Sequence, residues 1–163
     1  MSKRQSETHI PAVGEGKRGV EGHIGYLLRQ AYAVHRSRLE QALQPLGLTL
    51  PQFSVLTMLS AYPGIAGADL ARLSLLTPQT ICVILNNLEK AGFIRRSAHP
   101  VHRRAQCIEL SSAGLLMLKN CKQRVELVEQ ILLKGVPAKE EEVVRRWLVQ
   151  LAMTDAMPMS EPR

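Results

Sequence analysis

With 163 residues, the chain is long enough for one domain with a well-packed core, and 45% apolar and 21% charged residues are typical of a globular protein. No stretch approaches the ~18 consecutive apolar residues of a membrane span, and the N-terminus lacks the apolar segment of a secretory signal. Three cysteines without a Cys-x-x-Cys pair argue against a disulfide framework or a zinc ribbon. We therefore expect a cytoplasmic protein.

The formal charge of +7 is concentrated in two places. Residues 1–18 carry a net charge of +2, and residues 90–104 carry five Lys or Arg and no acid. The remaining residues balance, with twelve basic and twelve acidic side chains. A basic tail together with one basic window indicates a polyanionic partner that is held at a defined place.

The first 19 residues are predicted to form a flexible basic tail, because they contain glycine, proline and scattered charges without apolar periodicity. Apolar residues then recur at helical spacing over residues 24–46, which predicts a first helix. Thr49 is a suitable N-cap for a second helix, which has Pro51 in its first turn and ends before Pro63.

Residues 68–73 are predicted to form a short third helix. Thr77 followed by Pro78 is a strong start signal for a fourth helix, because the hydroxyl can cap the helix and proline suits its first position. The apolar side of the fourth helix contains Ile81, Ile84, Leu85 and Leu88. Two short strands are predicted at residues 93–97 and 105–110, and the basic turn between them indicates a β-hairpin with a basic tip.

Two more helices are predicted in the last third of the chain. Ser111 is expected to cap a long fifth helix, which ends at Gly135 and Pro137. Three glutamates at residues 140–142 suit the positive N-terminal end of a sixth helix. The apolar face of this sixth helix contains Val143, Val144, Trp147, Leu148 and Leu151. Residues 158–163 are expected to form a frayed tail.

Two helices joined by a tight turn and followed by a hairpin have the order of a winged helix-turn-helix DNA-binding fold. Amide and hydroxyl side chains on the polar side of the fourth helix can reach base edges in a major groove, and the free N–H groups at its start favour a phosphate. Two arginines at the hairpin tip can enter a minor groove. The residues expected to contact double-stranded DNA are Thr77, Pro78, Gln79, Thr80, Val83, Asn86, Asn87, Lys90, Arg96, His102, Arg103 and Arg104.

Four motifs occur in a specific order: Asp69-Leu70-Ala71, Leu76-Thr77-Pro78-Gln79-Thr80, Asn87-Leu88-Glu89-Lys90-Ala91-Gly92-Phe93-Ile94 and Ile108-Glu109-Leu110-Ser111-Ser112-Ala113-Gly114. Together with Arg104, they make residues 22–152 resemble the multiple-antibiotic-resistance regulator (MarR) family of bacterial winged-helix transcription factors. The resemblance implies a mainly α-helical chain with a small β-hairpin wing, which is an α+β winged helix-turn-helix fold. It further implies one domain at residues 20–157, with helices at about 20–46 and 111–157 in an all-α dimerisation bundle and the winged helix-turn-helix at about 49–110.

The wing departs from the family's usual Asp-Pro-x-Asp-Arg-Arg pattern, because His99-Pro100-Val101-His102 precedes Arg103 and Arg104. Arg104 matches the family's wing arginine, but His102 stands where its aspartate partner usually lies. The ion pair that orients the wing therefore cannot form in the usual way. If either histidine titrates near the reference value of ~6.5, the wing becomes more cationic at acidic pH.

The resemblance also implies a homodimeric regulator, most often a repressor, that acts at the nucleoid and is released from its operator by a small molecule. A dimer would place two recognition helices ~34 Å apart, which predicts a pseudo-palindromic operator. Ligands of the family are often aromatic or phenolic acids or their thioesters, bound between the dimerisation helices and the DNA-binding lobe. The residues expected to line this cleft, where Arg or His would hold a carboxylate, are Tyr32, His35, Arg36 and Met58.

Two other hypotheses remain open on the sequence alone. A redox-responsive regulator would use Cys82, Cys107 or Cys121, but Cys82 has apolar neighbours, and a buried, unreactive cysteine is the commoner case. A helical protein-interaction module would carry the basic hairpin only incidentally. The sequence has no paired carboxylates, nucleophile–base spacing or metal-ligand cluster, so we expect no enzymatic activity, no cofactor and no bound metal.

Overall fold

The structure is a computed structural model, and it describes residues 10–98 and 106–153. Contacts divide the chain into two units, residues 1–128 and residues 129–163. Short 3-10 turns lie at Gly16–Arg18 and Gln44–Leu46. The helices and strands of the described residues are α1 Ile24–Leu43, α2 Leu50–Ala61, α3 Gly67–Leu73, α4 Pro78–Lys90, β1 Ile94–Ala98, β2 Gln106–Leu110, α5 Ser112–Leu132 and α6 Ala138–Met153.

The first helix is shorter than predicted. α1 ends at Leu43, and Gln44–Leu46 form a 3-10 turn instead of a further α-helical turn. The reason is Pro45, which has no backbone N–H to donate and whose ring would clash with the preceding turn of an α-helix. Gly47 follows in the left-handed region, with φ +69°.

Thr49 caps α2 as the sequence predicted. Its Oγ1 accepts a hydrogen bond from the N–H of Gln52 at 3.4 Å, and the Gln52 Oε1 accepts one from the N–H of Thr49 at 2.9 Å. The two bonds form a capping box, which satisfies two N–H groups that the helix itself leaves open. The cap sets where α2 starts. The helical spacing from that start places Val55, Leu56 and Leu59 on the side that is buried in the core.

The core of the first unit lies between the end of α1, α2, α3, α4, the two strands and the first half of α5. Side chains from each of these elements meet in it, and the largest fully buried ones are Leu43, Leu56, Leu70, Ile81, Leu88, Ile94, Val55 and Cys121. The predicted apolar stripe of α4 is confirmed, because all of its members are buried: Ile81, Ile84, Leu85 and Leu88. Burial of one face therefore holds α4 against the core along its length.

The two strands pair antiparallel, from Ile94 opposite Leu110 to Ala98 opposite Gln106. The prediction placed the first strand one residue too early, at residues 93–97. Phe93 is not yet part of the strand, because its N–H donates to the carbonyl of Leu88 at 2.9 Å in the C-terminal cap of α4. The predicted basic turn of the hairpin lies at residues 99–105, outside the described residues.

The axes of α3 and α4 are bent by 105° relative to each other. This angle falls in the range of about 90–120° that characterises a helix-turn-helix. With the antiparallel hairpin directly after α4, the mainly α-helical winged helix-turn-helix fold is confirmed. No single helix of the described residues is long and apolar enough to cross a membrane, and only α3 and α4 together, across their bend, reach that length and composition.

The second unit contains the end of α5 and α6. Glu140 and Glu141 lie in the first turn of α6, as predicted. No residue of α6 is buried. Its predicted apolar face is between 38% and 55% exposed, at Val143, Val144, Trp147, Leu148 and Leu151.

Candidate nucleic-acid interface

Thr77 builds the N-terminal end of α4. Its Oγ1 accepts a hydrogen bond from the N–H of Thr80 at 3.2 Å and lies 2.8 Å from the hydroxyl oxygen of Thr80. Pro78 occupies the first helical turn, where a missing N–H costs no hydrogen bond. The helix therefore starts where the sequence indicated, and its first residues are exposed.

The side of α4 that turns away from the core is exposed along the whole helix. Eight of the residues expected to contact DNA are exposed here: Thr77, Pro78, Gln79, Thr80, Val83, Asn86, Asn87 and Lys90. They offer amide groups, hydroxyls, one ammonium group and two apolar side chains, and such groups read base edges and bind phosphates. Glu89 is the only acid on this helix.

The turn between α3 and α4 contains Leu75 in the left-handed region, with φ +54°. The N–H of Leu76 donates to the carbonyl of Ala71 at 2.9 Å, and the N–H of Leu75 donates to that of Arg72 at 3.2 Å. These bonds form a Schellman motif, in which the left-handed position is usually glycine. α4 ends in the same pattern with Gly92 at that position, with φ +77°.

Arg96 connects β1 to α4. Its Nη2 donates to Oδ1 of Asn86 at 2.7 Å, and its Nε lies 3.4 Å from Oε2 of Glu89. The Arg96 side chain is only 21% exposed, unlike the other expected DNA-contacting residues that the structure describes. Two of those residues, Asn86 and Arg96, thus contact each other, which their separation of ten positions did not indicate.

The remaining expected DNA contacts, His102, Arg103 and Arg104, lie outside the described residues, as does His99. β1 ends at Ala98 and β2 begins at Gln106, on either side of these residues. Arg96 and its partner Asn86 therefore tie the strand that enters the turn to α4.

Ser111 fastens the start of α5 to the end of α4. Its Oγ donates to the carbonyl of Gly92 at 2.6 Å and accepts a hydrogen bond from the N–H of Gly114 at 3.0 Å. Its own N–H donates to the carbonyl of Phe93 at 2.9 Å. Ser111 is the N-cap that the sequence predicted, and it also connects α5 to the helix that carries the polar face.

Two of the four expected ligand-contacting residues, Tyr32 and Arg36, line a groove of about 370 Å³ in the first unit. The groove also contains Glu40, which the sequence did not single out. Its remaining lining residues come from α2 and the turn before α4: Leu50, Pro51, Ser54, Ser74, Leu75 and Leu76. A site on α1 thus lies next to the turn of the helix-turn-helix.

The other two expected ligand contacts, His35 and Met58, do not line this groove. Met58 packs against the core instead, because it lies on the side of α2 that faces the core. Arg36 is paired within α1, since its Nε lies 2.8 Å from Oε1 of Glu40. This hydrogen bond and the charge of Glu40 raise the pKa of Arg36 above its ordinary value.

The three cysteines differ in exposure. Cys82 was expected among apolar neighbours, but it is exposed, because it lies one position past Ile81 and so a third of a turn away from the buried stripe of α4. Cys82 lines a second groove, of about 600 Å³, between α4 and the strands. Cys107 is half-buried and Cys121 is buried. Within residues 10–98 and 106–153, no group of three or more His, Cys, Asp or Glu could hold a metal ion.

Comparison with known proteins gives a consistent picture. The family model described as the MarR family matches residues 46–105. The HTH-type transcriptional repressor Rv2887 of Mycobacterium tuberculosis is 37% identical over 128 residues, which cover 78% of this chain and 92% of the repressor.

Solved structures are similar over most of the chain. The structure of Rv2887 in complex with DNA has a TM-score of 0.65 and 35% identity, and covers 80% of this chain and 98% of its own. The complex of Rv2887 with p-aminosalicylic acid has a TM-score of 0.66 and 35% identity, with 80% and 99% covered. CouR from Rhodococcus jostii RHA1, bound to p-coumaroyl-CoA, has a TM-score of 0.74 and 25% identity, with 83% and 95% covered.

Proposed function

The chain belongs to the MarR family of transcriptional regulators, and on this premise we propose that it is a homodimeric repressor that binds a pseudo-palindromic operator and releases it when a small aromatic acid binds. The observation that carries the proposal is the exposed polar side of α4, from Thr77 to Lys90, on a helix whose other side is buried. A relative with 35% identity has been solved in complex with DNA.

α4 is the proposed recognition helix. Gln79 and Asn87 carry exposed amides that can pair with adenine, and the exposed Val83 can contact a thymine methyl group. Lys90 lies in the last turn of α4 and is proposed to bind a phosphate as a point charge. The wing residues His102, Arg103 and Arg104 are proposed to follow the adjacent minor groove.

Dimerisation is supported by apolar side chains that the single chain leaves in contact with solvent. They lie on α1, on α5 and on α6, at Ile24, Leu28, Leu115, Leu116, Leu127, Ile131, Val143, Val144, Trp147, Leu148 and Leu151. Exposed apolar surface of this extent is typical of a protein–protein interface. We therefore propose that these helices pack against a second copy of the same chain.

The proposed effector site is the groove lined by Tyr32 and Arg36. Tyr32 offers an aromatic face and Arg36 a guanidinium, which suits an aromatic carboxylate. Such a ligand would compete with Glu40 for Arg36. Leu75 and Leu76 belong to the same groove, so a bound ligand would contact the turn that sets the angle of the recognition helix.

Gel shifts test the proposal, using DNA from upstream of the protein's own gene at one stated salt concentration and random DNA of equal length as the control. We expect specific retardation and its reversal by salicylate-like acids or aromatic thioesters. Sedimentation should give twice the mass of 18.1 kDa. Equal affinity for both DNAs would contradict a repressor and favour the alternative of a protein-interaction module.

A further inference from the structure

The contact between Arg96 and Asn86 determines how the amide of Asn86 is turned. A guanidinium has only hydrogen-bond donors, so the Asn86 atom that lies 2.7 Å from Arg96 Nη2 has to be the acceptor Oδ1. The Nδ2 group of Asn86 then keeps its two donors, and Asn86 is exposed on α4. The contact with Arg96 thus turns the Asn86 amide so that its N–H donors, and not its carbonyl oxygen, remain available to a partner.

Arg96 also neutralises the one acid of α4. Its Nε lies 3.4 Å from Oε2 of Glu89, whose side chain is 42% exposed. An unpaired carboxylate on a helix that enters a groove would be repelled by the phosphates on both sides. The Nε atom of Arg96 is itself buried and has no hydrogen-bond partner among the described residues, so its contact with Glu89 is an ion pair rather than a hydrogen bond.

We propose that Arg96 is a positioning residue, which holds Asn86 as a hydrogen-bond donor toward bases and shields Glu89, without binding phosphate itself. The proposal rests on the proposed function, because it requires that α4 enters a major groove. The base atoms that accept from Asn86 are then guanine O6 or N7, adenine N7 or thymine O4. The sequence suggested a direct DNA contact for Arg96, and this role replaces it with an indirect one.

The first test measures the affinity of full-length Asn86→Ala and Arg96→Ala for a library of operator variants. Both should lose discrimination at the same base pair of each half-site, by about five- to tenfold, since one base contact is lost in each. The double variant should lose no more than either single variant, because both changes remove the same contact. Unchanged discrimination in either single variant overturns the proposal.

Asn86→Asp keeps the test valid if Arg96→Ala does not fold. The carboxylate still accepts from Arg96, so the link between α4 and β1 remains, but it has no donor for a base. We expect unchanged thermal unfolding and the same loss of discrimination as in Asn86→Ala. Retained discrimination at that base pair would show that the donors of Asn86 are not used, which overturns the proposal.

Salt dependence separates positioning from a phosphate contact. In the charge-balanced double variant Arg96→Ala/Glu89→Gln, the slope of log affinity against log salt should equal that of the unaltered protein. If Arg96 bound a phosphate, the slope would fall by about one unit, which overturns the proposal. The matched control is Arg95→Ala/Glu109→Gln, which changes two residues at opposite positions of the same two strands. This control should leave the base preference unchanged.

The same binding data distinguish a failure of the proposed function from a failure of the role proposed for Arg96. If the unaltered chain prefers no operator to random DNA, the proposed function is wrong, and the role of Arg96 falls with it. If the unaltered chain has a preference and Asn86→Ala loses it while Arg96→Ala keeps it, DNA recognition by α4 stands and only the role of Arg96 is wrong.

Discussion

The backbone of Gly114 lies so close to the carbonyl oxygen of Phe93 that a Cβ on Gly114 would overlap with it. Gly114 is in the first turn of α5, and Phe93 is the residue that leads from α4 into β1. The start of α5 and the residue that follows the end of α4 are thus in close backbone contact.

Gly114→Ala should lower the free energy of unfolding by about 1–3 kcal/mol, because the added methyl group meets a backbone oxygen that cannot move aside as a flexible side chain would. Urea unfolding measures the change. Gly25→Ala in α1 is the matched control, since a Cβ there has no neighbour within 4 Å. The control should be neutral or slightly stabilising. Equal stability of the two variants would contradict the close contact.

Leu75→Gly should raise the free energy of unfolding by about 1 kcal/mol, because leucine in the left-handed region is strained and glycine is not. Little burial is lost, since Leu75 is 91% exposed. The opposite change at the equivalent position, Gly92→Ala, should lower the free energy by a similar amount. If both variants shift the urea midpoint in the same direction, the left-handed strain is not the dominant effect.

The thiols of Cys82 and Cys121 should react at very different rates. Cys82 is exposed, whereas burial raises the pKa of the Cys121 thiol and keeps it protonated. In the native protein, Cys82 should be labelled by a disulfide reagent well before Cys121, which should react only after unfolding. Labelling of Cys82→Ser isolates the other two thiols. Rapid modification of Cys121 in that variant would contradict its burial.

The raised pKa of Cys121 also predicts a pH dependence of stability. The folded state holds the thiol proton more tightly than the unfolded state, whose thiol titrates near the ordinary value of about 8.5. The resulting stabilisation is complete below that pH and is lost as the pH rises through the pKa of the folded state. Between neutral and alkaline pH, the thermal midpoint should therefore fall more in the unaltered protein than in Cys121→Ala. Parallel curves would refute this.

Gln79→Ala and Lys90→Ala should have different effects on DNA binding. Removing Gln79 should change the preferred base at one position of each half-site, because its amide is proposed to read a base edge. Removing Lys90 should weaken all sequences alike and reduce the salt slope by about one unit. Binding to an operator library at several salt concentrations measures both. An unaltered preference in Gln79→Ala would count against direct readout.

Arg104→Ala should weaken operator binding by about 1–3 kcal/mol without changing the mass of the dimer, because the arginine is proposed to enter a minor groove. Anisotropy titration and sedimentation measure the two quantities. The same two quantities are measured for His102→Ala, a change two positions away in the chain. Unchanged operator affinity in Arg104→Ala would rule out the proposed role of the wing arginine.

Much of the fold was determined by the sequence over short distances. Thr49 and Thr77 cap their helices through bonds to residues three positions away, and a spacing of three or four places Ile81 and Leu85 on one side of α4. Such interactions depend on neighbours that the chain itself brings together, whatever the tertiary structure. For this reason the helix starts, the order of the elements and the polar face of α4 were predictable.

The tertiary structure decided which side chains of that face are available. Arg96 and Asn86 are ten positions apart on different elements, and only the packing of β1 beside α4 brings them within 2.7 Å. The start of β1 was misplaced for a different, local reason, since the N–H of Phe93 caps the end of α4. A side chain's type and spacing state what it can bind, but its partners depend on which elements the core brings together. That is why the sequence indicated the recognition surface, whereas the orientation of Asn86 within it required the fold.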